Sequence, residues 1–447
     1  VQKYDTIVIG GGFTGLAAAL DLSRSGQKVL LLEKDSAVGG LAGSFDVEGQ
    51  SLEKFYHHWF TNDRDIVALA KDLGTEDRIV YRQTRTGMYF GKDFFRLSSP
   101  KDLLSFTPLS LADRIRLGLL ALKAQKVNDW QQLENKTSEE WLISMGGETV
   151  YRKIWEPMLR GKFGQFASEV SAVWFWNKLK LRGGSRGKGG KEMLAYYQGG
   201  FASLAESMVQ EILTSGGEVR TNTPVVDLLI EDRGVTGVRT EGSSIYSRQV
   251  LATQPLPLFA NIVEPYVASE YTASLRKIQF LANVCLVLEL DRSLSDTYWL
   301  NVADPNFPYV GIIEHTNFEP KESYHGRHIV YLSKYLPESD LMYSMTDEEV
   351  LNYSIPFICR MFPAFQASWV LRSHVWRARF AQPIVVRGYG SLIPQMETPL
   401  SGLYLCTMAQ IYPEDRGTNY AICTGRNAAK ILAESLSPRP QETSQVT

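Results

Sequence analysis

The sequence predicts an α/β protein of two domains: a discontinuous domain built on a parallel βαβ unit, and a second domain of mixed sheet with a helical insert. Three observations carry that reading. A buried apolar strand runs into a glycine-rich turn and an alanine- and leucine-rich helix within residues 5–26. A second apolar strand follows at once, which calls for a right-handed crossover. The length of 447 residues exceeds one ordinary core and suits two.

Taken in order, DTIVIG (5–10) reads as a buried strand and GGFTGLAAALDLSRSG (11–26) as a turn and helix closed by Gly26. QKVLLLE (27–33) reads as a parallel strand, apolar on both faces. Residues 61–199 read as mostly helical, punctuated by Pro100, Pro108 and Pro157, with a basic glycine-rich loop at 182–190. A strand-rich block follows from Gly216-Gly217, with turns at Gly234 and Gly242; NVCLVLEL, HIVYLS and VVRGYG extend the β pattern to about 390. Residues 402–435 read as strand, loop and helix. The reading assigns 1–60, 200–255 and 391–435 to the first domain and 61–199 with 256–390 to the second. It leaves 436–447 as a disordered tail.

Composition narrows the function classes. A net charge of −2 gives no footprint for nucleic acid, so none is expected as a partner. Cys285, Cys359, Cys406 and Cys423 show no CxxC or zinc spacing, so neither a metal site nor a disulfide framework is expected. No apolar stretch reaches 18 residues, and Tyr4 to Ile9 is already strand, leaving no room for a leader. The expected location is the cytoplasm.

Gly10, Gly12 and Gly15 form G-x-G-x-x-G between a strand and a helix, the fingerprint of a Rossmann-type dinucleotide cradle. Gly10 allows the tight turn, Gly12 lets a pyrophosphate approach the backbone, and Gly15 lets helix and strand pack closely. Phe13 and Thr14 lie at the helix N-terminus, where free N–H groups and partial positive charge suit phosphates. Glu33, followed by Lys34, ends the second strand 18 residues after Gly15, where a carboxylate accepts both ribose hydroxyls and repels a 2′-phosphate. NAD and FAD both satisfy these residues.

Further blocks separate the two. Gly39-Gly40 in DSAVGGLAGSF, then YYQGGFASLAESM, VRTNTPVVDLLI and GTNYAICTGRNAAKIL resemble the flavoprotein group of amine oxidases, protoporphyrinogen oxidases and phytoene desaturases. The resemblance spans most of the chain and implies FAD. No cysteine stands where a covalent link would be expected, so FAD is expected to be non-covalent. The resemblance brings the backbone of Gly39, Gly40, Leu41 and Ser44 near the pyrophosphate and isoalloxazine, and that of Val225 near the adenine. Leu41 replaces an arginine that the family often places on phosphate, so that contact is missing or supplied elsewhere. Gly417, Thr418 and Asn419 open the last helix, whose positive end would face the flavin's pyrimidine edge; Asp415 would reach the ribityl chain or phosphates.

The resemblance implies oxidation by hydride transfer to flavin N5. Amine oxidases commonly carry a lysine near N5; here Asn283 matches that place and Lys277 is six residues away, which ranks porphyrinogen- or desaturase-like chemistry above amine oxidation. In SLEKFYHHWFTND, His57, His58 and Trp59 are candidates to touch flavin or substrate, and a histidine there could shuttle protons; a hairpin edge with solvated histidines is the competing reading. A similar run occurs in UDP-galactopyranose mutases, which implies an alternative: redox-neutral sugar-nucleotide chemistry on reduced FAD. A non-catalytic flavoprotein is the third alternative.

Trp176, with Trp174 and Phe175, lies beside Lys178, Lys180, Arg182 and Arg186, a set suited to an anionic or flat ligand, although helical core packing also explains such aromatics. Arg160, Lys162, Arg387 and Tyr389 are further contacts of this kind, and Tyr412 is a candidate wall residue. The expected partner is a small-molecule substrate, hydrophobic or anionic. Residues 94–124 are apolar enough to shape an access channel, but interspersed charges weigh against peripheral membrane contact, which is not favoured.

Overall fold

The computed structural model describes residues 3–97, 99–185 and 191–436. Arg186 and the expected tail beyond 436 lie outside these residues.

Two seven-stranded sheets organise the chain. The first has at its centre the strand Lys3–Ile9, flanked in parallel by Val29–Leu32 and Ser244–Ala252, with Glu218–Arg220 outside Val29–Leu32. All four residues of Val29–Leu32 are buried, as a parallel strand covered on both faces requires. The start of Ser244–Ala252 continues into an antiparallel meander with Gly234–Thr240 and Val225–Glu231, and its end pairs in parallel with Leu403–Leu405. The helix Phe13–Arg24 packs against both Gly200–Thr214 and Thr418–Leu436. At the second crossing a side chain on Gly425 would collide with the Thr14 carbonyl, so the two helices meet backbone to backbone.

The second sheet runs Val370–Pro383, Phe280–Leu290, His328–Leu336, Gly311–Glu314, Trp299–Val302, Thr86–Phe90, Asp93–Arg96. Its long central strand Phe280–Leu290 is buried at ten of eleven positions, which fixes the register of both neighbours. Here the expectation for 61–199 needs correction. The helices Arg64–Asp72, Leu111–Gln125, Ser138–Gly146, Glu156–Phe163 and Ala172–Gly184 form, but residues 79–96 supply three strands. Gly91, at φ 59°, turns Thr86–Phe90 back on Asp93–Arg96, and the hairpin adds to the second sheet beside Trp299–Val302. The run TGMYF lacks helical period, and its pairing partner lies over 200 residues downstream.

Candidate functional site

The glycine turn places its residues as their spacing requires. A Cβ on Gly15 would collide with the Gly10 carbonyl oxygen, so Gly15 serves helix-to-strand packing. A Cβ on Gly12 would meet nothing nearer than the Gly40 Cα at 4.0 Å, so the space beside Gly12 is open. The helix Phe13–Arg24 begins at Gly12 with no side-chain cap and no acid in its first turn, leaving its N–H groups for an anion. Phe13 itself is buried, edge-on to Phe201 at 6.1 Å; Thr14 is half-buried.

Glu33 is nearly buried and held at both oxygens: Gly11 N–H donates to Oε2 at 2.6 Å and Asp35 N–H to Oε1 at 2.9 Å. Each oxygen keeps a lone pair for a hydroxyl. The Glu33 carbonyl accepts from Thr223 N–H at 2.8 Å, which brings the strand headed by Val225 alongside. Lys34 departs from expectation: its side chain is solvent-exposed and pairs with Asp35 at 3.2 Å. The second glycine element rests directly on the first. Gly39 N–H donates to the Gly11 carbonyl at 2.8 Å, with Gly39 at φ 116°, and Ser44 opens the hairpin that follows.

A cavity of about 390 Å³ is walled by Leu41, by residues 55–60, by the helices Glu156–Phe163 and Ala172–Gly184, and by residues 415–420. Leu41, His57, His58, Trp59, Asp415, Gly417, Thr418 and Asn419 all line it. Burial pulls His57 down to about 4 and His58 to about 3, so both stay neutral near pH 7 and neither shuttles protons there. His57 Nδ1 lies 2.6 Å from the Phe55 carbonyl, and His58 Nδ1 pairs with the Tyr298 hydroxyl at 2.9 Å. Asn419 spends its side chain elsewhere: its Oδ1 accepts from Asp65 N–H at 2.8 Å and Ile66 N–H at 3.1 Å, capping the helix Arg64–Asp72.

Of the expected substrate contacts, Lys162, Lys178, Arg182, Trp174 and Phe175 line this cavity, whereas Trp176, Arg160, Arg387, Tyr389 and Tyr412 lie outside it. Trp176 is core: its indole N–H donates to the Ala124 carbonyl at 2.9 Å, and Lys180 lies over its ring. Arg160 is exposed and bonds Glu156; Arg387 is exposed and bonds Glu140. Tyr389 is buried, donating to the Ala409 carbonyl at 2.8 Å, and Tyr412 donates to Glu134. Trp174, Lys178 and Arg182 fall at i, i+4, i+8, one face of a helix, and Trp176 with Lys180 on another, a phase that the spacing already held.

Four cations line the cavity: Lys162, Lys178, Arg182 and Arg416. Lys178 pairs with Asp415. Burial opposes ionisation of Asp415, but Lys178, Lys162 and Arg416 outweigh it and hold the carboxyl below its usual range. Arg416 donates to the Tyr335 hydroxyl at 2.9 Å and to Gln382 Oε1 at 3.1 Å. Lys162 lies over Trp174 at 4.7 Å and Tyr335 at 5.2 Å, and burial pulls it down to about 7. Asp63, the other acid of the lining, is pushed up by burial to about 6. Trp299, Tyr335, Tyr56, Asn301 and Ser333 also line the cavity and carried no signal in the sequence.

These residues fit a dinucleotide-linked flavin. The open space at Gly12, the uncapped helix start and the held Glu33 lie beside the second glycine element, and Leu41, next to Gly40, lines the cavity. Asn283 Oδ1 and the indole N–H groups of Trp155 and Trp174, all on cavity-lining residues, have no partner among the described residues.

Known proteins agree. A family profile described as flavin containing amine oxidoreductase matches residues 13–433. A Synechococcus elongatus relative named "Probable zeta-carotene desaturase" is 23% identical over 481 residues, covering 96% of this chain and 98% of that one. The coproporphyrinogen III oxidase of Staphylococcus aureus is 23% identical over 287 residues, covering 57% of this chain and 61% of that one. The solved structure of reduced UDP-galactopyranose mutase shares the fold, with a TM-score of 0.73, 15% identity, and coverage of 97% of this chain and 96% of that one. The glycine cradle, the Rossmann-type sheet around it and the matched span of 421 residues (13–433) together place this chain in the flavin-containing amine oxidoreductase family, as a flavin-dependent oxidoreductase.

Proposed function

We propose that the chain uses non-covalent FAD to oxidise an apolar, flat substrate that carries anionic groups, the chemistry of a porphyrinogen rather than of an amine. The observation behind this reading is the charge of the cavity: Lys178, Arg182 and Arg416, with Lys162 half-protonated near pH 7, face two carboxyls, one of which is likewise drawn toward neutrality by burial. An ammonium substrate would be repelled there, whereas carboxylates would pair with Arg182 and Lys162. Trp174, Phe175 and Trp299 supply flat apolar walls. The likeness to a coproporphyrinogen III oxidase supports the same class.

The cofactor side rests on Glu33 for the adenosine ribose, on the N–H groups after Gly12 for the pyrophosphate, and on Gly417 and Thr418 beside the flavin ring. No cysteine lines the cavity among the described residues, which supports a non-covalent attachment. Bound FAD supplies the two-electron acceptor, and dioxygen or another acceptor returns it to the oxidised form. The protein's own part is to bind, orient and desolvate. Arg182 and Lys162 hold the substrate's anions. Lys162, drawn to about 7, exchanges a proton near neutral pH, a task closed to the neutral histidines.

A second reading, sugar-nucleotide isomerisation on reduced FAD, is favoured by the same cations, since a diphosphate would also pair with them. Anaerobic titration separates the two. Coproporphyrinogen or protoporphyrinogen should bleach the oxidised flavin band. Bleaching by amines alone would overturn the proposal, and UDP-sugar turnover only after dithionite reduction would establish the second reading.

A further inference from the structure

His57 and His58 are consecutive, neutral and half-buried, yet their hydrogen bonds fix opposite tautomers. A neutral imidazole carries one proton on two nitrogens, so the partner of one nitrogen decides what the other offers. His57 Nδ1 faces the Phe55 carbonyl at 2.6 Å. A carbonyl only accepts, so Nδ1 holds the proton and Nε2 is a bare acceptor. His58 Nδ1 faces the Tyr298 hydroxyl at 2.9 Å. Tyr298 is fully buried, and its hydroxyl has no other partner among the described residues. Were it to accept from Nδ1, its own proton would be stranded in the core, which buried hydroxyls avoid. The hydroxyl therefore donates to Nδ1, and the proton of His58 stands on Nε2.

Neither Nε2 has a partner among the described residues, neither is sealed from solvent, and both side chains line the cavity. The two rings stand in different company. His57 packs against Phe201 at 5.3 Å, which in turn lies edge-on to Phe13 at the start of the helix Phe13–Arg24. His58 lies edge-on to Trp299 at 5.6 Å, and the Arg182 guanidinium lies over the same indole at 5.9 Å. Burial first, then the charges of Arg182 and Lys178, keep the His58 ring neutral. Arg182 is loosely held. Its one carboxylate partner among the described residues, Glu192, stands 4.0 Å away and also accepts from the Thr86 hydroxyl at 2.5 Å. An N–H donor and a weakly paired guanidinium beside one indole make two contacts for a carboxylate.

We propose that His58 determines specificity by donating its Nε2–H to an acidic group of the substrate alongside Arg182, with Tyr298, outside the cavity lining, as the positioning residue that fixes this tautomer. The inference rests on the reading of an anionic substrate and adds a neutral contact to it. His57 cannot take this part, because its Nε2 offers a lone pair and would face those of the anion. Charge alone draws in any anion. A fixed N–H next to a guanidinium favours a planar carboxylate, whose two oxygens can take one donor each. A hydrocarbon polyene would displace water from this donor and leave it unpaired.

Two measurements test this on the flavin-loaded protein. With isotope-labelled histidine, long-range proton–nitrogen correlation spectra should show His57 protonated at Nδ1 and His58 at Nε2. Tyr298→Phe should turn His58 alone into a mixture of tautomers. The second measurement is binding of coproporphyrin III, a flat tetracarboxylate, followed by its fluorescence. His58→Leu should weaken binding about tenfold or more, since a hydrogen bond to a charged acceptor is lost. His58→Gln, whose amide can place an N–H where the imidazole N–H stood, should stay within about threefold of wild type, and Tyr298→Phe should fall between the two. Arg182→Met tests the anionic reading separately and should also weaken binding. His58 protonated at Nδ1 in the wild-type protein overturns this inference alone. So does wild-type binding by His58→Leu while Arg182→Met loses the probe, and so do equal losses in His58→Leu and His58→Gln, which would mark a packing role. No binding by the wild-type protein, or none lost in Arg182→Met, overturns the anionic reading and this inference with it.

Discussion

Replacing Lys162 by Met should make the protein more stable, and by an amount that depends on pH. The ammonium sits over Trp174 at 4.7 Å, Tyr335 at 5.2 Å and Phe163 at 5.5 Å. Burial lowers its value from 10.5 to about 7. That gap corresponds to roughly 4–5 kcal/mol against the charged form. Because the value of about 7 already includes the attraction of Asp415, the expected gain is about 4 kcal/mol. The sign follows from proton counts. Between about 7 and 10.5 the unfolded chain holds a proton that the folded chain has shed, so wild-type stability rises with pH through that window and is lowest beneath it. Methionine binds no proton. The variant's advantage should therefore be full near pH 6, smaller near pH 9 and gone above about 10.5. Urea unfolding of both proteins, saturated with oxidised flavin, at about pH 6 and about pH 9 measures this. A variant less stable than wild type at the lower pH, or an equal margin at both, refutes the assignment of a cation depressed by burial there.

Three further outcomes are expected. Glu33→Ala should weaken FAD binding at least about a hundredfold, since two hydrogen bonds to a charged acceptor are lost, each worth about 1.5–3 kcal/mol; flavin-fluorescence titration of apoprotein checks it, and unchanged affinity removes the ribose assignment. Gly12→Val should fold but purify colourless, because its side chain enters open space, whereas Gly15→Ala should fail on stability, because its side chain meets the Gly10 carbonyl; circular dichroism and visible spectra distinguish them. Glu53, buried with Tyr196 O–H and Phe201 N–H as donors, is raised by burial to about 7, so wild-type stability should fall as pH rises from about 4.5 to 7. Glu53→Gln should remove that fall and gain about 2–3 kcal/mol at pH 8, by thermal unfolding; a pH-independent difference would refute it.

What could be read from the sequence was local. The first βαβ unit is a strand, turn, helix and strand within about thirty residues, and each glycine there has its own neighbour to satisfy. The cofactor half of the site followed, down to Glu33. Lys162 and Arg182 could be named as candidates, but not sorted from Arg160 and Arg387, because Lys162, Arg182 and Arg416 come from three segments that only the fold brings together. The aromatic triplet shows the difficulty most directly. Trp174 and Trp176 are two residues apart on one helix, and which of them faces the cavity depends on where the neighbouring helix lies, not on either residue. Asn419 shows the same limit: its position at a helix start could be read, but not that its side chain holds Asp65 and Ile66, more than 350 residues earlier.

The contact of Gly425 with Thr14 has a consequence for biogenesis. The amides after Gly12 are made some four hundred residues ahead of Leu403–Leu405 and Thr418–Leu436. Until those late segments leave the ribosome, the glycine turn lacks its supporting partner and the ring end of the cradle has no floor. Cofactor capture is thereby coupled to the arrival of those late segments, and a ribosome stalled before residue 400 should hold a nascent chain that stays colourless however much FAD surrounds it.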